Sequence, residues 1–254
     1  MVVYISNSFV KVGVDEEKGG AICYMSHANN TQNVINCWDC GRCIQQSYYG
    51  RDDGTNWNGK SWCWNPVQAG SWNNLHARIN SLVRVSDTRL VIHTTPRNWG
   101  GGELCEDVEM ITDITLLPQG HVHMNCVMRY KGKEIHPVKD QEIPACFFDS
   151  SFSTLIYRTK NGNTIKTIPT EPSNNNMRTD ADATWAGYMN PQTKQGVFVT
   201  CPRATQLTAY RVENTSQPHL SNCSYMAPLI VSAIAPESTV TYDVYFELVE
   251  NAAF

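Results

Sequence analysis

Three polar side chains near residue 45 are of the types that bind and deprotonate an acidic sugar. Arg42, Gln46 and Tyr48 are separated by four and two residues, so a strand would place them on one face. An arginine beside a planar amide can bind a carboxylate, and a nearby cation can lower the pKa of a phenol. The spacing predicts a wall where Arg42 and Gln46 hold a uronate carboxylate and Tyr48 is the base. An Arg42–Asp39 pair that merely orders a loop is the alternative.

A second polar segment, His136–Glu142, is predicted to be a loop that precedes an apolar strand. Histidine titrates nearest to neutral pH, so His136 is a candidate general acid or base. Gln141 and Glu142 offer groups that bind hydroxyls or orient the histidine. We expect this loop to form the wall opposite Arg42, although an isolated surface histidine is often inert.

Tryptophan is concentrated in one stretch, since five of the seven tryptophans lie between residues 36 and 72. Alternation would place Trp62 and Trp64 on one side, with the amides of Asn65 and Gln68 nearby. Sugar rings present C–H faces that pack on aromatic rings and hydroxyls that bond to amides. The stretch therefore predicts a saccharide-binding surface, and the alternative is a tryptophan-rich plug at the end of a sandwich.

Two further clusters favour neither a metal nor another cofactor. Cys37, Cys40 and Cys43 have the spacing of metal ligands, but an alternating strand would not bring their sulfurs together. An acidic cluster follows a run of three glycines and has the carboxylates of a glycosidase or a calcium site: Glu103, Glu106, Asp107 and Glu109. We expect this cluster to be a solvated loop, and we predict no cofactor.

The elements that must position these residues are strands. Apolar and polar residues alternate with a period of two, and a helical period is hard to find over three turns. Three hairpins are predicted, from residues 2–14 with 21–25, 77–86 with 89–94, and 108–117 with 121–130. The polar segment 169–182 is typical of a surface loop. We predict an all-β chain, a large antiparallel two-sheet β-sandwich that forms a single domain over residues 1–254.

Charge and hydropathy limit the partners. The 254 residues carry a formal net charge of −4 and no basic run, which disfavours nucleic acid. No apolar window approaches the roughly 18 residues of a membrane span, and the N-terminus lacks the pattern of a signal peptide. We therefore expect a cytoplasmic protein, or a secreted one whose leader was removed. The sequence does not indicate an oligomeric state.

Short motifs resemble the galactose-mutarotase-like β-supersandwich superfamily. They comprise Val12–Asp15, Gly19–Ile22 and Gly41-Arg42 near the start, and Trp185–Tyr188, Gly196–Pro202, Tyr225–Pro228 and Val240–Leu248 near the end. The chain resembles most the glycan-acting members associated with polysaccharide lyases and glycoside hydrolases. It departs from the sugar epimerases because it has neither a His-x-Tyr-x-Asn segment nor a late glutamate base.

The resemblance implies a carbohydrate ligand, an oligosaccharide or polysaccharide. We favour cleavage of a polysaccharide by β-elimination, with Tyr48 or His136 removing the proton and Trp62 and Trp64 stacking neighbouring sugars. A glycoside hydrolase that uses Asp39 and Glu142 is one alternative. The others are a non-catalytic lectin and a sugar mutarotase.

Overall fold

The computed structural model describes residues 1–159, 162–167, 177–179, 185–213 and 222–251. In this part of the chain, strands form a ten-stranded sheet, a nine-stranded sheet and a two-stranded hairpin, and all pairings are antiparallel. The predicted all-β sandwich is confirmed. The described residues contain no helix with the length and apolar character needed to cross a membrane.

The first sheet carries the candidate site. Its strands are β1 (Val2–Ser6), β2 (Val10–Asp15), β3 (Ala21–His27), β4 (Ile44–Ser47), β7 (Pro66–Val67), β10 (Arg97–Asn98), β13 (His136–Phe148), β16 (Met177–Thr179), β19 (Gln206–Val212) and β20 (Cys223–Ile234). They follow the order β1-β2-β3-β4-β13-β20-β19-β16, and the short strands β7 and β10 attach at β4. A 3₁₀ turn at Glu16–Lys18 joins β2 to β3.

The second sheet covers the opposite side of the core. It contains β8 (Arg78–Ser86), β9 (Arg89–Thr95), β11 (Val108–Leu116), β12 (Val122–Tyr130), β14 (Thr154–Thr159), β15 (Gly162–Thr167), β17 (Trp185–Met189), β18 (Gly196–Thr200) and β21 (Thr239–Val249). The order is β15-β14-β17-β18-β21-β12-β11-β9-β8. The remaining strands, β5 (Asp52–Trp57) and β6 (Lys60–Cys63), form a separate hairpin.

The predicted hairpins are confirmed. β2 pairs with β3, β8 with β9, and β11 with β12. In β11 and β12 the residues alternate between buried and partly exposed along the whole strand, which is the pattern expected where one sheet face covers a core. Side chains from both sheets meet in one apolar cluster that includes Ile44, Phe148, Met124 and Val244.

The prediction that residues 136–142 form a loop is wrong. This segment is the first half of β13, a central strand paired with both β4 and β20. Register shifts interrupt the pairing with β20 between His136 and Lys139 and between Glu142 and Cys146. Such irregularities break the period of two, so alternation could not reveal the strand. β13 ends at Phe148, and the next strand, β14, begins at Thr154.

The outward face of the first sheet has an apolar cluster of its own. Ala145, Tyr225, Ala227 and Leu229 are buried there and pack with Phe147 and Tyr210. This cluster forms an apolar floor, and polar side chains lie beside it on the same face of the sheet. The single-domain expectation stays a prediction, and the loop expected at 169–182 lies outside the described residues except for β16.

Candidate functional site

An open groove of about 570 Å³ lies on the outward face of the first sheet. Its floor comes from β13, β19 and β20, and the β5–β6 hairpin forms one side. The residues that line it are Tyr49, Asp52, Ser61, Trp62, Cys63, Lys139, Asp140, Glu142, Thr208 and Leu229. Five of these residues carry ionisable carboxyl, amino or phenol groups, so the groove combines an aromatic wall with groups that can move protons.

Glu142 is the central polar residue of this groove. Across the sheet it lies opposite Ser47 on β4 and Leu229 on β20. The Tyr225 hydroxyl donates a hydrogen bond to Glu142 Oε1, and the side chains of Ser47 and Tyr49 are also hydrogen-bonded to this carboxyl. Burial raises the pKa of Glu142, and the hydroxyl contacts oppose this shift only in part. The residue can therefore hold a proton at a higher pH than an ordinary glutamate does.

Asp140 supplies a second carboxyl group. The pairing with β20 is regular from Lys139 to Glu142, so Asp140 and Glu142 share a face while Gln141 points into the core. Their Cα atoms are about 6.6 Å apart, as for any two residues at i and i+2 on a strand. Gln141 is fully buried and donates hydrogen bonds to the carbonyl oxygens of Tyr49 and Ser232. This amide fixes β13 beneath the two carboxyl groups.

An aromatic row forms the floor beside Glu142. The Tyr225 ring lies 4.7 Å from Phe147 and 4.4 Å from Tyr210, measured between ring centroids. The Arg42 guanidinium lies 5.9 Å from the Phe147 ring centroid, and its Nε is 3.3 Å from Asp39 Oδ2. Arg42 and Asp39 therefore pair with each other next to this floor, as the alternative interpretation of the sequence proposed.

The prediction that Gln46 and Tyr48 line a wall with Arg42 is wrong. Both are fully buried between the sheets, where the Tyr48 hydroxyl donates to Gln46 Oε1 at 3.0 Å. Gln46 Nε2 donates to the carbonyl of Ile111 on the second sheet at 2.8 Å. The cause is Cys43, whose φ of 79° interrupts the strand between Arg42 and the residues that follow. Burial raises the pKa of Tyr48 well above its usual value, which excludes it as a base.

His136 is also away from the groove. It is 2% exposed, and its ring stacks on Trp64 at 3.8 Å and meets Tyr130 edge-on at 4.9 Å. Burial lowers its pKa, so the imidazole is neutral at neutral pH. The prediction that His136 and Trp64 face a ligand is wrong, because the pair fills the interior where β13 begins.

The two predicted amides are structural as well. Asn65 is 1% exposed and donates to the carbonyl of Tyr48 at 2.7 Å. Gln68 is equally buried and its Oε1 accepts from the Gln46 backbone N–H at 3.3 Å. Their expected role in binding sugar hydroxyls is wrong, since they satisfy backbone groups. Trp62 does line the groove, and its indole N–H donates to Asn65 Oδ1 at 3.1 Å.

Of the ten predicted site residues, Glu142 and Trp62 line the groove, and Asp39 and Arg42 lie beside its floor. Sequence reasoning missed Tyr49, Asp140 and Tyr225. Tyr48 and Tyr49 directly follow β4 and point to opposite sides, and the prediction chose the buried one of the two. Tyr225 lies 83 residues from Glu142, and no local pattern connects them. Within the described ranges, no three His, Cys, Asp or Glu side chains are placed to hold a metal ion.

Comparison with known proteins shows the fold. No protein-family profile matches the chain, and no curated protein does so. Among solved structures, a galactose mutarotase-related enzyme from Lactobacillus acidophilus is 11% identical, with a TM-score of 0.62 over 99% of this chain and 98% of that one. A galactose mutarotase-like protein from Lactobacillus casei is 9% identical, with a TM-score of 0.60 over 98% and 100%. A putative aldose 1-epimerase from Klebsiella pneumoniae is 11% identical, with a TM-score of 0.57 over 97% and 78%. The chain therefore has the galactose-mutarotase-like fold.

Proposed function

We propose that the groove binds a saccharide and that the protein interconverts its anomers, with Glu142 as the principal proton-transfer group. The observation that carries this proposal is the Glu142 carboxyl, which lies in the groove with a raised pKa and hydroxyl partners. A carboxyl whose pKa is raised above its usual value gives up its proton to a ring oxygen and recovers it afterwards at a higher pH than an ordinary glutamate does. The solved structures of the same fold include proteins described as galactose mutarotase-like and as a putative aldose 1-epimerase, which supports this choice.

The chemistry needs two proton transfers. Glu142 donates its proton to the ring oxygen while Asp140 accepts the proton of the anomeric hydroxyl. The bond between C1 and the ring oxygen breaks, and C1 becomes a carbonyl carbon. Rotation about the C1–C2 bond presents the other carbonyl face, and the reverse transfers close the ring and restore both carboxyl groups. No atom is gained or lost, so the reaction requires no co-substrate.

The groove walls would orient the sugar for these transfers. Trp62 and Tyr49 present aromatic surface to the C–H face of a pyranose, and their ring centroids are 6.4 Å apart. Lys139 and Asp52 at the rim can bond to hydroxyl groups. The same stacking and hydroxyl contacts would bind the sugar in a non-catalytic binding protein and in an enzyme.

Polysaccharide cleavage is the second candidate, and the pair of carboxyl groups on β13 favours its hydrolytic form. A raised pKa on Glu142 suits a general acid, and Asp140 could activate water or attack the anomeric carbon. The β-elimination favoured by the sequence has less support. The base that it assigned to Tyr48 or His136 and the amide of Gln46 are buried away from the groove.

One panel of substrates separates these reactions. Freshly dissolved α-glucose and α-galactose would be followed by polarimetry and proton NMR, and neutral and uronate polysaccharides by reducing ends and ultraviolet absorbance. We expect anomeric exchange faster than in buffer, without new reducing ends. New reducing ends alone would support hydrolysis, and ultraviolet-absorbing products would support elimination. Binding without any turnover would leave a lectin and overturn the enzymatic proposal.

A further inference from the structure

Three tryptophans form a cluster at the hairpin side of the groove. Trp57, Trp62 and Trp99 have ring centroids 5.1–5.4 Å apart, and each indole is partly exposed. Trp57 and Trp62 come from β5 and β6, and Trp99 follows β10. We call these three residues the tryptophan cluster.

The cluster is continuous with the groove. Trp62 belongs to both, and it contacts Tyr49, which is hydrogen-bonded to Glu142. The steps from Tyr49 to Trp62 and from Trp62 to Trp57 are 6.4 and 5.4 Å between ring centroids. Aromatic surface therefore continues from Tyr49, beside Glu142, to the tryptophan cluster. Further units of a chain that has one sugar at Glu142 can stack on this surface.

Packing of the core between the sheets does not account for the cluster. The apolar core between the sheets includes Trp64 but none of these three residues. The β5–β6 hairpin pairs with neither large sheet, and most of its residues are exposed. Burying three large rings in the core would gain more stability than leaving them half-exposed at the side of the groove. An exposed aromatic cluster that adjoins a cleft is typical of a ligand-binding surface.

Neighbouring contacts hold the rings in place. The backbone N–H of Trp99 donates to the carbonyl of Asn65 at 2.8 Å. Gly100 lies so close to Trp62 that a Cβ there would be 3.2 Å from the Cβ of the tryptophan. Rings held in this way lose little conformational freedom when a ligand stacks on them, which favours binding.

Charge around the cluster and the groove selects the ligand. Apart from the proton-donating Glu142, four carboxyl groups are found here against the two amino groups of Lys60 and Lys139: Asp52, Asp53, Glu103 and Asp140. Asp53 and Glu103 are exposed and accept hydrogen bonds from the buried amide of Asn98 at 2.7 and 2.6 Å. Carboxylates accept well from sugar hydroxyls, but they repel a chain of uronates.

We infer that the tryptophan cluster is a second saccharide subsite and that the protein binds a neutral oligosaccharide more tightly than a free monosaccharide or a polyuronate. This inference rests on the proposed function, because it places the reacting end of the chain at Glu142. It replaces the uronate substrate that the sequence suggested with an uncharged one.

Calorimetric titration of the whole chain tests the subsite. The probes are glucose and galactose, cello-oligosaccharides and β-1,4-galacto-oligosaccharides of two to four units, and oligogalacturonates of the same lengths. We expect affinity for at least one neutral series to rise about tenfold from one unit to three, as stacking on one further ring would provide. The oligogalacturonates should bind more weakly than the galacto-oligosaccharides of equal length.

Variants locate the gain in affinity. Trp57→Ala should abolish the dependence on chain length but leave monosaccharide affinity within about threefold. Trp57→Phe keeps an aromatic ring in the hairpin and should retain part of the gain in affinity for longer chains. Trp185→Ala is the matched control, since this indole stacks on Phe198 of the second sheet. Thermal unfolding of each variant would verify that it is folded.

The outcomes distinguish the two proposals. Monosaccharide binding without any gain for longer chains would overturn the subsite and leave the proposed function intact. A gain that survives Trp57→Ala, or preferred binding of oligogalacturonate, would also overturn the subsite. Failure of every probe to bind would overturn both proposals.

Discussion

Two carboxyl groups on opposite sides of the sandwich differ in their hydrogen-bond partners, in their burial and in the direction of their pKa shift. Glu142 is half-buried on the outward face of the first sheet, and hydroxyl groups are its hydrogen-bond partners. Asp243, on the outward face of the second sheet, has a side chain that is 47% exposed. Its Oδ1 accepts from Asn125 Nδ2 at 2.9 Å and lies 2.8 Å from His123 Nε2. Burial raises the pKa of Glu142, whereas these partners lower the pKa of Asp243.

The difference shows how the environment separates a reactive carboxyl group from a structural one. Hydrogen bonds from an imidazole and an amide stabilise the charged form of Asp243, so this carboxyl stays ionised near neutral pH. Glu142 loses hydration without gaining a cationic partner of comparable strength. Its two protonation states are therefore closer in free energy at neutral pH, which is what proton transfer requires.

The largest expected effect is on turnover. Glu142→Gln keeps the shape and the hydrogen bond from Tyr225 but removes the exchangeable proton. We expect kcat to fall by about 10²–10⁴-fold, the usual contribution of general acid–base catalysis. Asp243→Asn makes the same chemical change on the other sheet and should leave kcat unchanged. Equal losses in the two variants, measured with the substrate found in the panel, would contradict the assignment.

The next effect tests whether the buried imidazole contributes to proton transfer. His136→Ala removes a ring packed between Trp64 and Tyr130, together with the acceptor for the Arg51 backbone N–H at 3.3 Å. We expect the free energy of unfolding to fall by about 2–4 kcal/mol, as for other large buried side chains. Chemical denaturation measures this loss. The pH dependence of kcat should be unchanged in the variant. Loss of either the acidic or the basic side of the pH profile would show that His136 takes part in proton transfer.

Much of the fold could be predicted because its hairpins are local. Buried and more exposed residues alternate without interruption in β11 and in β12. The predicted turn between these two strands is only three residues long. β13 was missed because its irregular pairing breaks the alternation between His136 and Cys146. Its polar residues also resemble a loop when its two neighbouring strands are not known. The strand is central only because β4 and β20 pair with it, and β20 lies about eighty residues further along the chain.

The candidate site was harder to predict than the fold. In an extended chain Tyr48 and Tyr49 point to opposite sides, but alternation alone could not say which side covers the core. Arg42 was grouped with the wrong face because a single positive φ at Cys43 is invisible in the sequence. Tryptophan content indicated the region that contains one side of the groove, yet Trp62 lines the groove and Trp64 fills the interior. Burial decides between these roles, and burial depends on tertiary pairing.

A smaller effect concerns stability. Because the folded pKa of Glu142 is raised, the folded protein binds a proton that the unfolded chain has released. Stability must therefore fall as pH rises from the ordinary glutamate pKa, about 4.3, through the raised value. Glu142→Gln removes this dependence, so it should unfold at a higher temperature than the wild type at pH 7–8. The difference should vanish near pH 4, and a variant less stable at every pH would contradict the raised pKa.

The smallest effect has the opposite sign and comes from the same substitution on the other sheet. The pKa of Asp243 is lowered, so its charged form stabilises the folded state above the ordinary aspartate pKa of about 3.9. That contribution is lost as pH falls through the folded value. Asp243→Asn should therefore be slightly less stable than the wild type at pH 7, by under about 1 kcal/mol, because the group is half-exposed and screened by solvent. The deficit should shrink below pH 3 and in high salt. The two carboxyl-to-amide variants should be measured side by side at pH 7. Shifts of the unfolding temperature in opposite directions would establish that folding raises the pKa of Glu142 and lowers the pKa of Asp243. Shifts of the same sign would mean that the hydroxyl partners of Glu142 compensate for its burial, so that its pKa is not raised. The groove would then lack the proton donor on which the proposed reaction depends.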